Sequence, residues 1–294
     1  MVLNNTRSDS LHPPFQPNND GNFSIIFVNS LAGGVGAARN AGIAASTGNL
    51  IRFLDDDDFL LPSVAEDQYF ELHYSDADLS TYSGRLEDIN GLAYKIITPG
   101  CEIDYGSAVL SGDCPALTFA TVYKSSYIKN STWNEEWRVS EDEDWMRRML
   151  DKRVPNWITS EIVVGVWYQH SGPRLSPAVA THLSFKYRAL SIYSALERMK
   201  ANGILRPEHK VAAARGIWSA IHGGFPFAPF YWTEASKLAL ELDPRSGPRD
   251  EFFYRFSAIP AVILEWIILP KRWFNHLTRL VRARFSGGEY RRNF

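Results

Sequence analysis

Apolar and polar positions along this chain follow two periods. Phe23-Ser24-Ile25-Ile26-Phe27-Val28 is dense in β-branched and aromatic residues and predicts a strand. Leu50-Ile51-Arg52-Phe53-Leu54 predicts a second. Ala77 to Tyr82, Leu92 to Thr98, Leu117 to Tyr123 and Ile162 to Tyr168 continue the series. Between them, the small residues Ala37 to Ala45 and the segment Pro62 to Tyr74 predict helices. Gly48 closes the first and Pro62 opens the second. From Pro177 onward the pattern is helical. Ala178 to Asn202 is closed by Gly203, Pro207 to His222 is stopped by Gly223-Gly224, and Thr233 to Leu242 is ended by Asp243-Pro244. No fixed period links these helices, so a solenoid is not expected.

The most unusual stretch joins an apolar run to four consecutive acids, Asp55-Asp56-Asp57-Asp58. Adjacent carboxylates repel one another, and burying them is costly without cations. A divalent metal at the strand's C-terminal end is one explanation, because hard cations take oxygen ligands and are shared with substrate phosphates. A solvated acidic turn before the Pro62 helix is the other. Upstream, Gly33-Gly34-Val35-Gly36 is expected to let the backbone approach a ligand, with the helix N-terminus behind it favouring anions.

A second acidic cluster follows at Ser140-Glu141-Asp142-Glu143-Asp144. Ser140 and Glu143 have capping-box spacing, which predicts a helix beginning at Glu141. The helix dipole at that first turn would keep Asp142 ionised. Trp145, Met146, Met149 and Leu150 are placed to bury one side, and Arg147 and Arg148 to meet the acids one turn back. Acids before bases are also ordinary design for a solvated helix start.

The order of Gly34 to Asn40 (Gly-x-x-x-Ala-Arg-Asn), the apolar strand and the Asp55–Asp58 run resembles the family 2 glycosyltransferases, which have the GT-A fold. The likeness covers roughly residues 1–175. It implies an α/β, Rossmann-like mixed sheet flanked by helices, followed by an α-helical C-terminal region over 176–294. Met1 to Asp9 resembles the family's early strand, so the family's first strand and first helix would be missing. A polar tail is the other reading of that segment. By the resemblance, Asp55 and Asp57 would hold Mn²⁺ or Mg²⁺ with the donor diphosphate, beside Asp56. Arg39 would contact the nucleotide, as against simply pairing with a neighbouring Asp. Glu141-Asp142 resembles the family's Glu-Asp motif, with Asp142 as catalytic base. His170 and Arg174, in a Gly-Pro loop, are further candidates for the diphosphate; a loop histidine bonded to backbone is the plain alternative for His170.

Composition narrows the partners. At 294 residues, 45% hydrophobic and 22% charged, the chain is globular with a length prior of about two domains. A net charge of −2 supplies no field for nucleic acid. Cys101 and Cys114 cannot make a disulfide framework, which suits a reducing cytoplasm. No signal peptide or spanning run is evident. Residues 99–115, rich in Gly and Pro, are expected to be a long, loop-rich insertion forming an acceptor-side loop or lid.

The segment 252–285 is apolar and then basic, with Trp266, Trp273 and Phe274 at the junction. It predicts either a helix on a membrane surface or a core helix with a basic tail. The expectation is therefore an inverting, metal-dependent glycosyltransferase. It would take a sugar from a nucleotide-sugar donor, UDP-linked by family resemblance, to a saccharide or lipid-linked acceptor. Its place would be cytoplasmic, peripheral on the inner face of the cell membrane. A non-catalytic, membrane-associated remnant is the alternative, and a two-metal phosphohydrolase is a third that leaves the Ala-Arg-Asn helix unexplained.

Overall fold

The computed structural model describes residues 2–4, 26–29, 34–100, 102–112, 117–137, 139–169 and 182–285. Two short strands, β1 (Val2–Asn4) and β2 (Phe27–Asn29), pair in parallel with Val2 opposite Phe27. Val2–Asn4 is therefore strand; residues 5–25 lie outside the described set. Helix α1 (Val35–Ala45) follows, then β3 (Leu50–Arg52), β4 (Asp58–Leu60) and α2 (Pro62–Tyr74). Next come β5 (Leu79–Glu87), β6 (Ala93–Ile97), α3 (Tyr105–Ser111), a 3₁₀ turn at Thr118–Ala120 and β7 (Thr121–Lys124). Helices α4 (Ser125–Ile128) and α5 (Glu141–Arg148) precede the long strand β8 (Trp157–Tyr168).

These strands form a six-stranded mixed sheet in the order β3-β7-β5-β8-β4, with β6 paired to β5. β5 is the hub: it runs parallel to β8 and antiparallel to β7 and β6. Its residues are buried except Arg85, as expected for a strand bonded on both sides. β3 is antiparallel to β7, so β3, β5 and β8 point the same way. The acidic run leaves β3 at that shared C-terminal edge, where open α/β sheets hold their ligands.

The second half is helical: α6 (His182–Ala201), α7 (Pro207–Gly224), α8 (Pro229–Leu242), α9 (Glu251–Arg255) and α10 (Ala261–Phe285). α7 runs on through Gly223 and Gly224 instead of stopping before them. One apolar cluster joins Phe53, Tyr123 and Trp145 beside the sheet to Ile192, Trp218 and Trp232 of the helices. Among the described residues, no helix is long and apolar enough to cross a membrane.

The expected lid at 99–115 is not what this segment forms. Tyr105–Ser111 is a helix buried at every position, capped by Asp104, whose carboxylate accepts the Ser107 N–H at 2.7 Å. It lies so close to α7 that a Cβ on Gly216 would sit 2.0 Å from the Leu110 carbonyl oxygen. Glycine and proline suggested a loop here, but the apolar positions Tyr105, Ala108, Val109 and Leu110 decide the outcome by packing. Cys101 and Cys114 lie outside the described residues.

Candidate active site

Three chain segments meet beyond the C-terminal end of β3. The first is α1. Gly36 in its first turn lets the helix approach the 133–134 loop, where a Cβ would lie 2.7 Å from the Asn134 carbonyl oxygen. That glycine thus serves a contact within the protein. One turn on, Asn40 clasps the same loop. Its Oδ1 accepts the Trp133 N–H at 2.7 Å, and its Nδ2 donates to the Trp133 carbonyl at 3.0 Å and to Glu135 at 2.9 Å. The donor and acceptor of one amide thereby satisfy both backbone groups of a buried residue.

Trp133 is the platform for the site. Its ring stacks on Trp145 of α5 at 4.5 Å between centroids, with an interplanar angle of 6°. Phe53, which follows β3, meets both indoles edge-on at 5.4 and 5.3 Å. The Arg39 guanidinium lies 4.4 Å from the Trp133 ring centroid, a cation–π contact. Aromatic packing therefore holds α1, the acidic turn and the start of α5 in one place.

The acidic run itself is not buried. β3 ends at Arg52, Asp55 and Asp56 are exposed, Asp57 is half-buried, and Asp58 starts β4 against β8. The turn closes through a 3.2 Å bond from the Asp58 N–H to the Asp55 carbonyl. The Arg39 charge meets Asp55, and the Asp55 and Asp56 carboxylates are exposed. What the turn supplies is a set of oxygen donors facing solvent, which suits a hard cation that keeps water and phosphate in its coordination sphere. Asp55 and Asp57 fit that chemistry.

Arg39 links the two acidic clusters. Nη2 donates to Asp55 Oδ1 at 2.9 Å, and Nη1 lies 3.8 Å from Glu141 Oε1. Nη1 is buried with no hydrogen-bond partner. A buried, unsatisfied donor on a cation is costly, and such donors often await a ligand.

α5 begins at Glu141 as the sequence predicts, but the capping box does not form. Ser140 is left-handed at φ 57°, the only non-glycine residue with positive φ among those described, and its side chain caps nothing. Such a conformation costs about 1–3 kcal/mol and is characteristic of functional sites. Glu143 turns away from the N-terminus to Arg188 of α6, at 2.9 and 2.5 Å, and to Arg147, at 3.2 Å. Burial raises the Glu143 carboxyl, but the Arg188 and Arg147 charges outweigh it and bring the pKa down to about 2. Trp145, Met146, Met149 and Leu150 are buried, and Arg147 and Arg148 pair with Glu143 and Asp144 one turn back, as predicted.

Asp142 behaves differently from the sequence expectation. Burial lifts its carboxyl above the ordinary range and the Glu143 charge adds to the lift; the Arg39 charge and the N–H groups of Glu143 and Asp142 itself work against it. Desolvation thus wins over the helix terminus. Glu141 is raised as well, first by burial and then by the Asp142 charge. Of the predicted site residues, the structure brings Arg39, Asp55, Glu141 and Asp142 together, with Asp56 and Asp57 on the adjoining turn. His170 and Arg174 lie outside the described residues. Sequence reasoning missed Asn40 and Trp133. The Arg39-Asn40 pair was the available signal, because neighbouring helix positions point to different partners.

Among the described residues, one other group of potential ligands is present: Asp104, Glu208 and His209, with ligand atoms within 4.8 Å of one another. It joins the cap of α3 to the first turn of α7. A cation already serves it. Arg206 pairs with Asp104, lies 3.2 Å from Glu208, and donates its backbone N–H to His209 Nδ1 at 3.2 Å. That bond leaves the imidazole proton on Nε2, facing Asp104 at 3.2 Å. Both ring nitrogens are therefore committed, and the cluster is a clamp between helices.

The family model for glycosyl transferase family 2 matches residues 8–155, half of the chain. The chain belongs to that family. The fold of this family 2 glycosyltransferase chain is GT-A, and solved structures share it. Crystal structures of S. aureus TarS 1–349 align with it, in complex with UDP-GlcNAc (TM-score 0.53, 14% identity) and with UDP (TM-score 0.52, 13% identity). The first match covers 73% of this chain and 63% of TarS 1–349, and the second 74% and 64%. The family 2 chain thus spans less than two thirds of those structures. Identity this low speaks to fold. No curated protein matches the sequence.

Proposed function

We propose that this protein is an inverting glycosyltransferase that moves a sugar from a nucleotide-sugar donor to a hydroxyl acceptor. The observation that carries the proposal is the Arg39 link, which sets an exposed acidic turn against the half-buried Glu141-Asp142 pair. Family membership and the GT-A fold support it. TarS structures hold UDP-GlcNAc and UDP, which favours a UDP-linked donor here.

In the proposed reaction the acceptor oxygen attacks the anomeric carbon from the face opposite the diphosphate. The C–O bond to the acceptor forms and the C–O bond to the diphosphate breaks, with its electron pair leaving on the diphosphate. Asp142 takes the hydroxyl proton. Its raised pKa suits the task, because a general base works best when matched to the working pH. Arg39 would offer Nη1, which has no hydrogen-bond partner, to the donor. Asp55 and Asp57 would hold Mn²⁺ or Mg²⁺, which when bound supplies positive charge to the leaving group. A saccharide or lipid-linked acceptor fits, with the protein peripheral on the inner face of the cell membrane and the product a surface polysaccharide or glycolipid.

The test is hydrolysis or transfer of UDP-sugars with Mn²⁺ or Mg²⁺, in the wild type and in Asp142→Asn. Loss of about a hundredfold or more in the variant is expected, with donor binding retained by calorimetry. Equal turnover would remove Asp142 from the mechanism. Absence of heat from any UDP-sugar at millimolar concentration would favour a non-catalytic protein.

A further inference from the structure

The last helix has two faces with different fates. On one, Leu264, Glu265 and Leu269 are buried. Glu265 is fully buried, bonded to His222 of α7 and accepting from Arg272 Nη1 at 2.9 Å. Trp266 donates to Thr233 at 3.1 Å and Trp273 to the Pro226 carbonyl at 2.6 Å. α10 is thus fixed to α7 and α8 along one side.

Its other face carries Ile263, Ile267, Pro270, Phe274, Leu277 and Val281, all exposed. Steps of four and three keep these positions on one side of a helix. The exposure is large for such side chains, 60% at Ile267 and 66% at Phe274. Phe230 of α8, 79% exposed, meets Trp266 edge-on at 5.3 Å and widens the apolar surface beside the stripe. A contiguous apolar surface of this kind marks an interaction site.

Charge identifies the occupant. Between Glu265 and Glu289 the sequence has Lys271, Arg272, Arg279, Arg282 and Arg284 and no acid. Arg272 is matched by Glu265 of the same helix. Two copies meeting along this stripe would bring the same cationic helix against itself. A layer of anionic headgroups over hydrocarbon satisfies both the charge and the apolar face, and the two tryptophans border that face as interfacial anchors do. We infer that α10 lies in the surface of an anionic lipid bilayer, with Ile267, Phe274 and Leu277 entering the acyl boundary and the segment's excess positive charge drawing it to the headgroups.

This surface gives a physical basis for the peripheral placement proposed above, and it is independent of the donor chemistry. The experiment is co-sedimentation of the full chain with vesicles of phosphatidylcholine alone or enriched in phosphatidylglycerol. Binding to the anionic vesicles is expected, roughly tenfold or more above the neutral ones and weakened by salt. The double variant Ile267→Glu/Phe274→Glu should lose it roughly tenfold or more, with an unchanged melting temperature because both side chains face solvent. Failure to bind anionic vesicles, or equal binding by the variant, overturns the inference. So does a wild-type dimer by light scattering that the variant converts to monomer, which would assign the stripe to a second copy. Vesicle binding without sugar-nucleotide turnover would sink the enzyme reading alone, and turnover without vesicle binding would sink only this one.

Discussion

Arg188 on α6 grips Glu143 on α5 with two hydrogen bonds, 2.9 Å from Nε and 2.5 Å from Nη2. Glu143 adjoins Asp142, so a residue of the helical region sets the charge balance at the candidate base. Arg147 completes the group, donating to the Val109 carbonyl at 2.9 Å and to Ser191 at 2.7 Å. The pair is geometric and buried enough to matter, because removing one partner leaves an uncompensated charge.

Arg188→Met should therefore lower stability by about 2–3 kcal/mol, below the full cost of a buried pair because Arg188 is 26% exposed. Urea unfolding measures this. The Glu143 charge would then push Asp142 further up, so the acid limb of the turnover–pH profile should move to higher pH. A purely structural role would reduce activity with the profile unmoved.

Stability should fall steeply in acid. Glu143 and Asp104 both have folded pKa values of about 2, below their unfolded values. At Asp104, burial is opposed and overcome by hydrogen bonds, first from His209 and then from the Ser107 N–H. Depressed carboxylates contribute fully above their unfolded pKa, and the contribution is lost as pH falls from about 4.5 to 2. Asp142 and Glu141 carry the opposite sign: their raised values cost stability increasingly as pH rises through and above the ordinary carboxylate range. Melting temperature against pH should show the acid loss, and Glu143→Gln should flatten it.

Arg39→Met removes the cation between Asp55 and Glu141 and the contact over Trp133. Asp55 is 48% exposed and solvent takes over part of the loss, so about 1–2 kcal/mol is expected. Donor binding by calorimetry should weaken roughly tenfold or more, the worth of a charge-assisted bond. Unchanged affinity would confine Arg39 to a structural role.

Two glycines separate a loop effect from a core effect. Gly36→Ala places a methyl 2.7 Å from the Asn134 carbonyl and should cost about 1–3 kcal/mol while displacing the Trp133 loop. Quenching or shift of tryptophan fluorescence would report that displacement. Gly216→Ala, with 2.0 Å to the Leu110 carbonyl, should be the more damaging and should open the contact between α3 and α7. Equal melting temperatures for the two variants would contradict this packing.

Much of the chain's design was legible in the residue order. β3, α2, β6 and the start of α5 sit where periodicity, Pro62 and the helix-start acids place them, because those signals act over a few residues. The kinds of chemistry were legible too, since four adjacent acids and an Arg-Asn pair are local facts. Other features came only with the tertiary structure. Ser140 looks like a cap in sequence, yet Arg188, distant in the chain, draws Glu143 away and leaves the box unformed. Residues 99–115 look like a loop, yet α7 offers an apolar surface that makes Tyr105–Ser111 a buried helix. Asp142 looks like an ionised helix-start acid, yet burial raises it. Local sequence determines which backbone states and charges are on offer; desolvation and long-range pairing decide which of them persist, and both depend on partners that only folding brings near.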